Sequence, residues 1–223
     1  MIPIRDVIPS RTTPGAVLGV IAVSVLVFLV TQALPSDRRA DLFSAFGLVP
    51  ATFGPSTLAT SVFLHDGWAQ VVGNMLGLWI FGDSVEDRLG HRRFLAFYLG
   101  CGMAAGLTHL MAAPASHVPA GSAAGAVAGV IAAHLVLFPR SRVLLLAPVI
   151  VPGHVMEAPA PILAVCWLLL QVVSRPGALA AGSGPLPATL WAVAGGFGSG
   201  LLAVHVFRRR ERERVQWWDV VRR

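Results

Sequence analysis

Lysine is absent from this chain: all 17 of its basic residues are arginine. Charge of either sign is scarce, at 13% of 223 residues, where soluble domains carry about 25%. There are two cysteines and one tyrosine. Each shortage excludes something. Cys101 and Cys166 both lie inside apolar runs, and two such residues make neither a disulfide framework nor a metal site. They read as small buried hydrophobes. No group of His, Cys, Asp and Glu has metal-ligand spacing, and no cofactor is expected. The net charge of +6 does not point to nucleic acid. The arginines stand in short blocks between apolar runs, which is how topology signals are distributed.

What the chain has in abundance is apolar length. Hydrophobic residues make up 55% of it, and its mean hydropathy is +0.71. A helix needs about 20 apolar residues to cross the hydrocarbon core. The composition therefore predicts an all-α polytopic membrane protein, one bundle with no second domain, and the lipid bilayer as its first partner. An arginine-only, Ala-, Gly- and Val-rich chain suits a GC-rich bacterial genome, so a bacterial cytoplasmic (inner) membrane is expected. The first apolar run lacks a small-residue cleavage motif and is long enough to span, which predicts that it is retained.

Six spans are predicted: 15–34, about 68–82, 94–113, about 120–138, about 158–173 and about 187–207. Residues 1–14 form a short polar segment and 208–223 an Arg-rich tail. The long 35–67 loop is mildly apolar in its middle, FSAFGLVPATF, which suits the membrane interface. Residues 83–93, DSVEDRLGHRR, read as a charged loop. The stretch from 143 is broken by Pro148, Pro152, Pro159 and Pro161 and reads first as an interfacial or re-entrant piece. Arginine placement sets the orientation. With the N terminus inside, Arg88, Arg92, Arg93, Arg140, Arg142 and the tail are cytoplasmic, and only Arg38, Arg39 and Arg175 fall outside. N-in, C-in is therefore expected. Trp217 and Trp218 either anchor the tail to headgroups or belong to an ordinary solvated amphipathic tail.

Residues 63–109 carry a resemblance. FLHDGWAQVVGNMLGLWIFGDSVEDRLGHRRFLAFYLGCGMAAGLTH resembles the second and third spans of bacterial rhomboids, whose pattern is roughly FLHxGWxHxxxNMxxLxxFGxxVExxxGxxxFxxxYLxxG. VPAGSAAGAVAGVIAAHLVLFPRSRV at 118–143 is similar to the rhomboid fourth span, VPxxGASGAxxGxxGAxxxxxPxxxV. WLLLQ at 167–171 and WAVAGGFGSG at 191–200 look like the fifth and sixth. The match is ordered and covers roughly residues 40–207. It implies a six-helix rhomboid-like bundle. It also implies a chemistry: a serine opening the fourth span attacks a peptide bond in the membrane plane. A histidine on the sixth span is its base, and a histidine and an asparagine on the second span stabilise the oxyanion.

This chain departs from that set. The flanks Val118-Pro119 and Gly125-Ala126 place the family's G-A-S on Ser122, Ala123 and Ala124, so Ala124 occupies the nucleophile position. Trp191, Ala192 and Gly195-Gly196 place the base on Val193. The oxyanion histidine falls on Gln70, and the asparagine is kept as Asn74. A serine hydroxyl needs a base within reach to attack, and neither member of the pair remains. The expectation is a pseudoprotease that binds transmembrane helices of client proteins. Two other readings stay open. One is an active intramembrane serine endopeptidase with Ser122 as a displaced nucleophile, served by His65, His109 or His117; His205 belongs near the other end of its helix. The other is a structural membrane subunit that recruits a partner through its tail. Ser122 also suits a plain helix cap.

The remaining polar and small residues have structural readings. Gln70 and Asn74 lie four apart, on one helical face, suited to a cavity or to bonding between helices. Gly125, Gly129, Gly196 and Gly200 suit close packing of the fourth and sixth spans. His134 reads as a satisfied core group or a pore-facing one, and Glu157 as interfacial.

Overall fold

The structure, a computed structural model, describes residues 2–6, 13–146, 155–173 and 188–208. Pro148 and Pro152, the 175–186 loop with Arg175, and Trp217 and Trp218 with nearly all of the Arg-rich tail lie outside the described residues. The helices are α1 (Gly15–Ala33), α2 (Ser36–Phe46), α3 (Thr57–Thr60), α4 (Trp68–Leu89), α5 (His91–Ala112), α6 (Ala124–Leu137), α7 (Ala160–Val173) and α8 (Ala188–Phe207). The strands are β1 (Ile2–Asp6), β2 (Arg142–Leu146) and β3 (Val155–Pro159).

Helix α6 is the axis of the bundle. Every residue from Ala124 to His134 is buried, with α4, α5, α7 and α8 against it. Its run of Ala and Gly explains this placement. A helix without bulky side chains is thin, and neighbours close on it backbone to backbone. On α8, a Cβ added at Gly196 would lie 2.8 Å from the Gly125 Cα, and one at Gly200 would lie 2.6 Å from the Gly129 Cα. Only glycine fits at those crossings. Outward-facing positions are apolar instead, among them Leu26 on α1, Met111 on α5, Leu169 on α7 and Val206 on α8.

Among the described residues, three helices are long and apolar enough to cross a membrane: Gly15–Ala33, His91–Ala112 and Leu190–Phe207. Ala124–Leu137 and Ala160–Gln171 are apolar but shorter.

Three expectations are corrected. First, residues 83–93 are not a loop. α4 runs to Leu89, and α5 starts at His91. Gly90, with φ 82°, is the whole joint, in a conformation that L side chains rarely adopt. The charged stretch stays helical because its carboxylate Glu86 is bonded inward. Glu86 is 1% exposed, and its two oxygens accept from the Ala16 and Val17 amides at 2.9 and 2.7 Å. Those amides open α1, where backbone N–H groups have no partner within the helix. His91 completes the cluster through Nδ1 on the same carboxylate.

Second, the chain is not all-α. β2 pairs antiparallel with β1 on one side and β3 on the other. Extended backbone needs partners, and β1 supplies those of β2 from the far end of the sequence. Glu157, read as interfacial, is exposed and bonds Arg142 at 3.1 Å. Third, Cys101 is buried, but Cys166 is exposed on α7.

The opposite end of α1 has its own clamp. Arg39 on α2 donates to the carbonyls of Thr31, Gln32 and Leu34 at 3.1–3.3 Å. A carboxylate at the N-terminus and a guanidinium at the C-terminus both complement the helix dipole. His134, fully buried, is satisfied at both ring nitrogens: Nδ1 meets Ser84 Oγ at 2.9 Å, and Nε2 meets Ser141 Oγ at 2.8 Å. It thereby ties α4 and α6 to the segment that leads into β2.

Candidate functional site

The start of α6 is fixed from outside the helix. Leu48 and Ala120 form an antiparallel bridge with mutual 2.8 Å bonds. The Ser122 amide donates to the Ser61 carbonyl at 3.0 Å. These contacts hold residues 120–122 non-helical, so α6 opens only at Ala124. Ser122 Oγ then accepts from the Ala124 amide at 3.0 Å. Counting helical turns back from Ala124 therefore misplaces Ser122, because it precedes the helix. Its side chain turns toward α4, where Asn74 Nδ2 donates to Ser122 Oγ at a long 3.5 Å.

Beside this point lies a cleft of about 50 Å³, room for a few waters by volume. Ser61, His109, Ser122, Ala124, Ala192 and Val193 are among its lining residues. Ala124 and Val193, far apart in sequence, thus share one space. They offer it a methyl and an isopropyl group, neither of which can attack, donate or take a proton.

The α4 residues are committed to the protein. Gln70 Oε1 accepts from the Asp66 amide at 2.7 Å, and Nε2 donates to the Gly121 carbonyl at 3.4 Å. Asn74 is 0% exposed, and its Oδ1 has no hydrogen-bond partner. His65, in the turn before α4, is 2% exposed, with Nδ1 3.2 Å from the Phe63 carbonyl and Nε2 unpartnered. Burial disfavours its charged form and lowers its pKa from 6.5 to about 4. His117 and His205 are exposed, and His205 lies near the far end of α8. Among the described residues no three His, Cys, Asp or Glu side chains are grouped to hold a metal.

A family comparison covers the stretch that holds α4, α6 and α8. The Rhomboid domain model matches residues 52–210. This chain belongs to the rhomboid family. It is 31% identical over 130 residues to the human presenilin-associated rhomboid-like protein, mitochondrial, covering 56% of this chain and 34% of that protein. It is 35% identical over 89 residues to rhomboid protein 1, mitochondrial, of Saccharomyces cerevisiae, covering 38% and 26%. The chain thus spans about a third or less of the length of these relatives. A rhomboid domain with apolar outer faces is a membrane protein, and lipid is its surroundings.

Sequence patterns alone do not point to three groups that organise this rhomboid domain. Glu86 is visible in sequence only as part of the FGDSVEDRLG match. Arg39 reads there as an outside charge. Ser84 and Ser141 carry no signal at all, since their shared partner His134 lies 50 and 7 residues away.

Proposed function

We propose that this chain is a six-span, N-in, C-in rhomboid-fold protein of a bacterial inner membrane that binds transmembrane helices of client proteins without cutting them. Residues 15–207 are the membrane domain, with 1–14 and 208–223 on the cytoplasmic side. One observation carries the reading: Ala124 and Val193, the positions that resemble the family's nucleophile and base, line the same cleft and bring no reactive group to it. Nucleophilic catalysis requires an activated hydroxyl or its equivalent. The start of α6 lines the cleft around this unreactive centre, with the fully buried Asn74 behind Ser122. Support for six crossings comes from the three long helices, the two shorter apolar ones and α4.

A second reading has its own observation. Ser122 and His109 line the same cleft, so a displaced serine and a histidine share that space. Labelling the purified full chain in detergent with a fluorophosphonate serine probe separates the two. The pseudoprotease reading expects no labelling in a folded sample and saturable binding of a synthetic single-span peptide. Labelling that disappears in Ser122→Ala would overturn it in favour of an active endopeptidase.

A further inference from the structure

Arg92 and Arg93 in the first turn of α5 and Arg140 after the end of α6 are exposed. None of the three forms an ion pair among the described residues. They stand at one end of the bundle. Arg88 lies over the Phe138 ring, 5.4 Å from its centroid, and so draws the turn that carries Arg140 to the joint between α4 and α5. Arg92 and Arg93 do not stabilise α5 where they stand. Its first turn holds no acidic residue, and cations there oppose the helix dipole. Glu86, at the same joint, is spent on the α1 amides and His91.

From the arginine pair onward α5 turns an apolar face outward. Leu95, Leu99, Met103, Leu107 and Met111 recur every fourth residue, which makes one ridge along the helix, and all five are exposed or partly exposed. With 22 residues at 1.5 Å each, α5 is about 33 Å long, enough to cross the hydrocarbon core. The arginines thus lie at headgroup depth and the ridge at acyl-chain depth. A second copy of the chain suits this face poorly, because a two-fold axis along the membrane normal would set like charges against each other.

We propose that this face of α5 binds an anionic phospholipid, with the headgroup phosphate held by Arg92 and Arg93, further positive charge supplied by Arg140, and an acyl chain along the Leu95–Met111 ridge. A planar guanidinium matches a phosphate with paired N–H donors. The headgroup must carry net negative charge, since a zwitterionic lipid brings its own cation to the phosphate. The bound lipid braces the α4–α5 joint, where Gly90 alone separates the two helices. The arginines are at the end opposite the cleft, so the site exists whether or not clients bind there.

The test uses the purified full chain in a neutral maltoside detergent with phosphatidylglycerol or phosphatidylcholine added. Retained lipid is read by native mass spectrometry, and stability by thermal unfolding. The wild type is expected to retain phosphatidylglycerol over phosphatidylcholine and to melt higher with it, since a ligand of the folded state alone adds stability. Each arginine near a charged lipid surface is worth about fivefold in affinity, so Arg92→Gln with Arg93→Gln is expected to lose roughly 25-fold and Arg140→Gln at most about fivefold. Arg92→Lys with Arg93→Lys is expected to keep most of the preference. Arg38→Gln, on α2, is expected to change nothing. Water-soluble glycerophosphoglycerol, the same headgroup without acyl chains, is expected not to compete. Equal retention of the two lipids by the wild type overturns the proposal, as does an undiminished preference in the double Gln variant. Competition by the soluble headgroup overturns it in favour of a plain anion site. If the double variant does not fold, salt decides: a preference that survives high ionic strength undiminished overturns the proposal. A dimer, or a bound single-span peptide, that is lost in Leu107→Asn with lipid retention unchanged gives the ridge to that partner and overturns it too.

Discussion

The two ends of the bundle differ in how densely their buried polar groups are bonded to one another. At the end where α1 begins, the Glu86 carboxylate accepts two α1 amides and meets His91. Close by in the fold, both nitrogens of His134 are bonded. At the end where α6 begins, Asn74 Oδ1 and His65 Nε2 are buried with no partner, and a cleft lies alongside. Buried polar groups are normally satisfied, and Tyr98 Oη on α5 and Ser24 Oγ on α1 are also buried with no hydrogen-bond partner, so the difference lies in the bonded Glu86 and His134 clusters. The Glu86 and His134 clusters tie α1, α4 and α6 together at the first end.

The sharpest way to break that contrast is at Glu86. Glu86→Ala leaves two α1 amides and His91 without their acceptor, and removing one partner of a buried polar cluster costs about 3–5 kcal/mol. Thermal unfolding in detergent should show a larger loss for this change than for a substitution at His65 or Arg39. A loss below about 1 kcal/mol, the worth of a single ordinary hydrogen bond, would mean that this end does not anchor the bundle.

The α6 end should respond to pH through His65. Its folded pKa, about 4, lies below the unfolded 6.5, so the folded state holds the ring neutral. Stability is complete above about pH 6.5. As pH falls toward 4 the unfolded state takes up the proton first, and stability declines by up to roughly 1.4 kcal/mol per pH unit. His65→Gln should flatten that decline in denaturation measured between pH 7 and 4. An identical slope in the variant would assign the pH response elsewhere.

The smallest effect is expected at Arg39, which clamps the α6-side end of α1. It is partly exposed and bonds only carbonyls, so Arg39→Ala should cost about 1 kcal/mol. A cost equal to that of Glu86→Ala would erase the difference between the two clamps.

Much of the fold was legible because each helix carries its own signal. The 19 residues of α1 contain no charge, and the Gly125, Gly129, Gly196 and Gly200 spacing could be read as a close helix crossing. The misread parts depended on distant partners. Residues 83–89 look like a loop because Asp83, Glu86, Asp87 and Arg88 are charged, until the α1 amides that Glu86 serves are in place. Residues 142–146 and 155–159 look like parts of a broken apolar segment until β1 pairs with β2 and β2 with β3. At the candidate site, motif register predicts a pairing of Ala124 with Val193, and the two do line one cleft, whereas the position of Ser122 could not be read. A count of helical turns assumes a helix there, and the bonds from Ser122 to Ser61 and from Ala120 to Leu48 prevent one.

The sequence by itself determined the rhomboid family and the apolar helices, because hydropathy, length and motif order are local and additive. Tertiary structure alone decided where α6 starts, that Ser122 Oγ lies against Asn74, and that Glu86 closes the start of α1. Each of these is a meeting of residues far apart in the chain, with the short bond from Ser122 to Ala124 as the exception. Such meetings are set by packing around the small-residue surface of α6, and no local pattern records them.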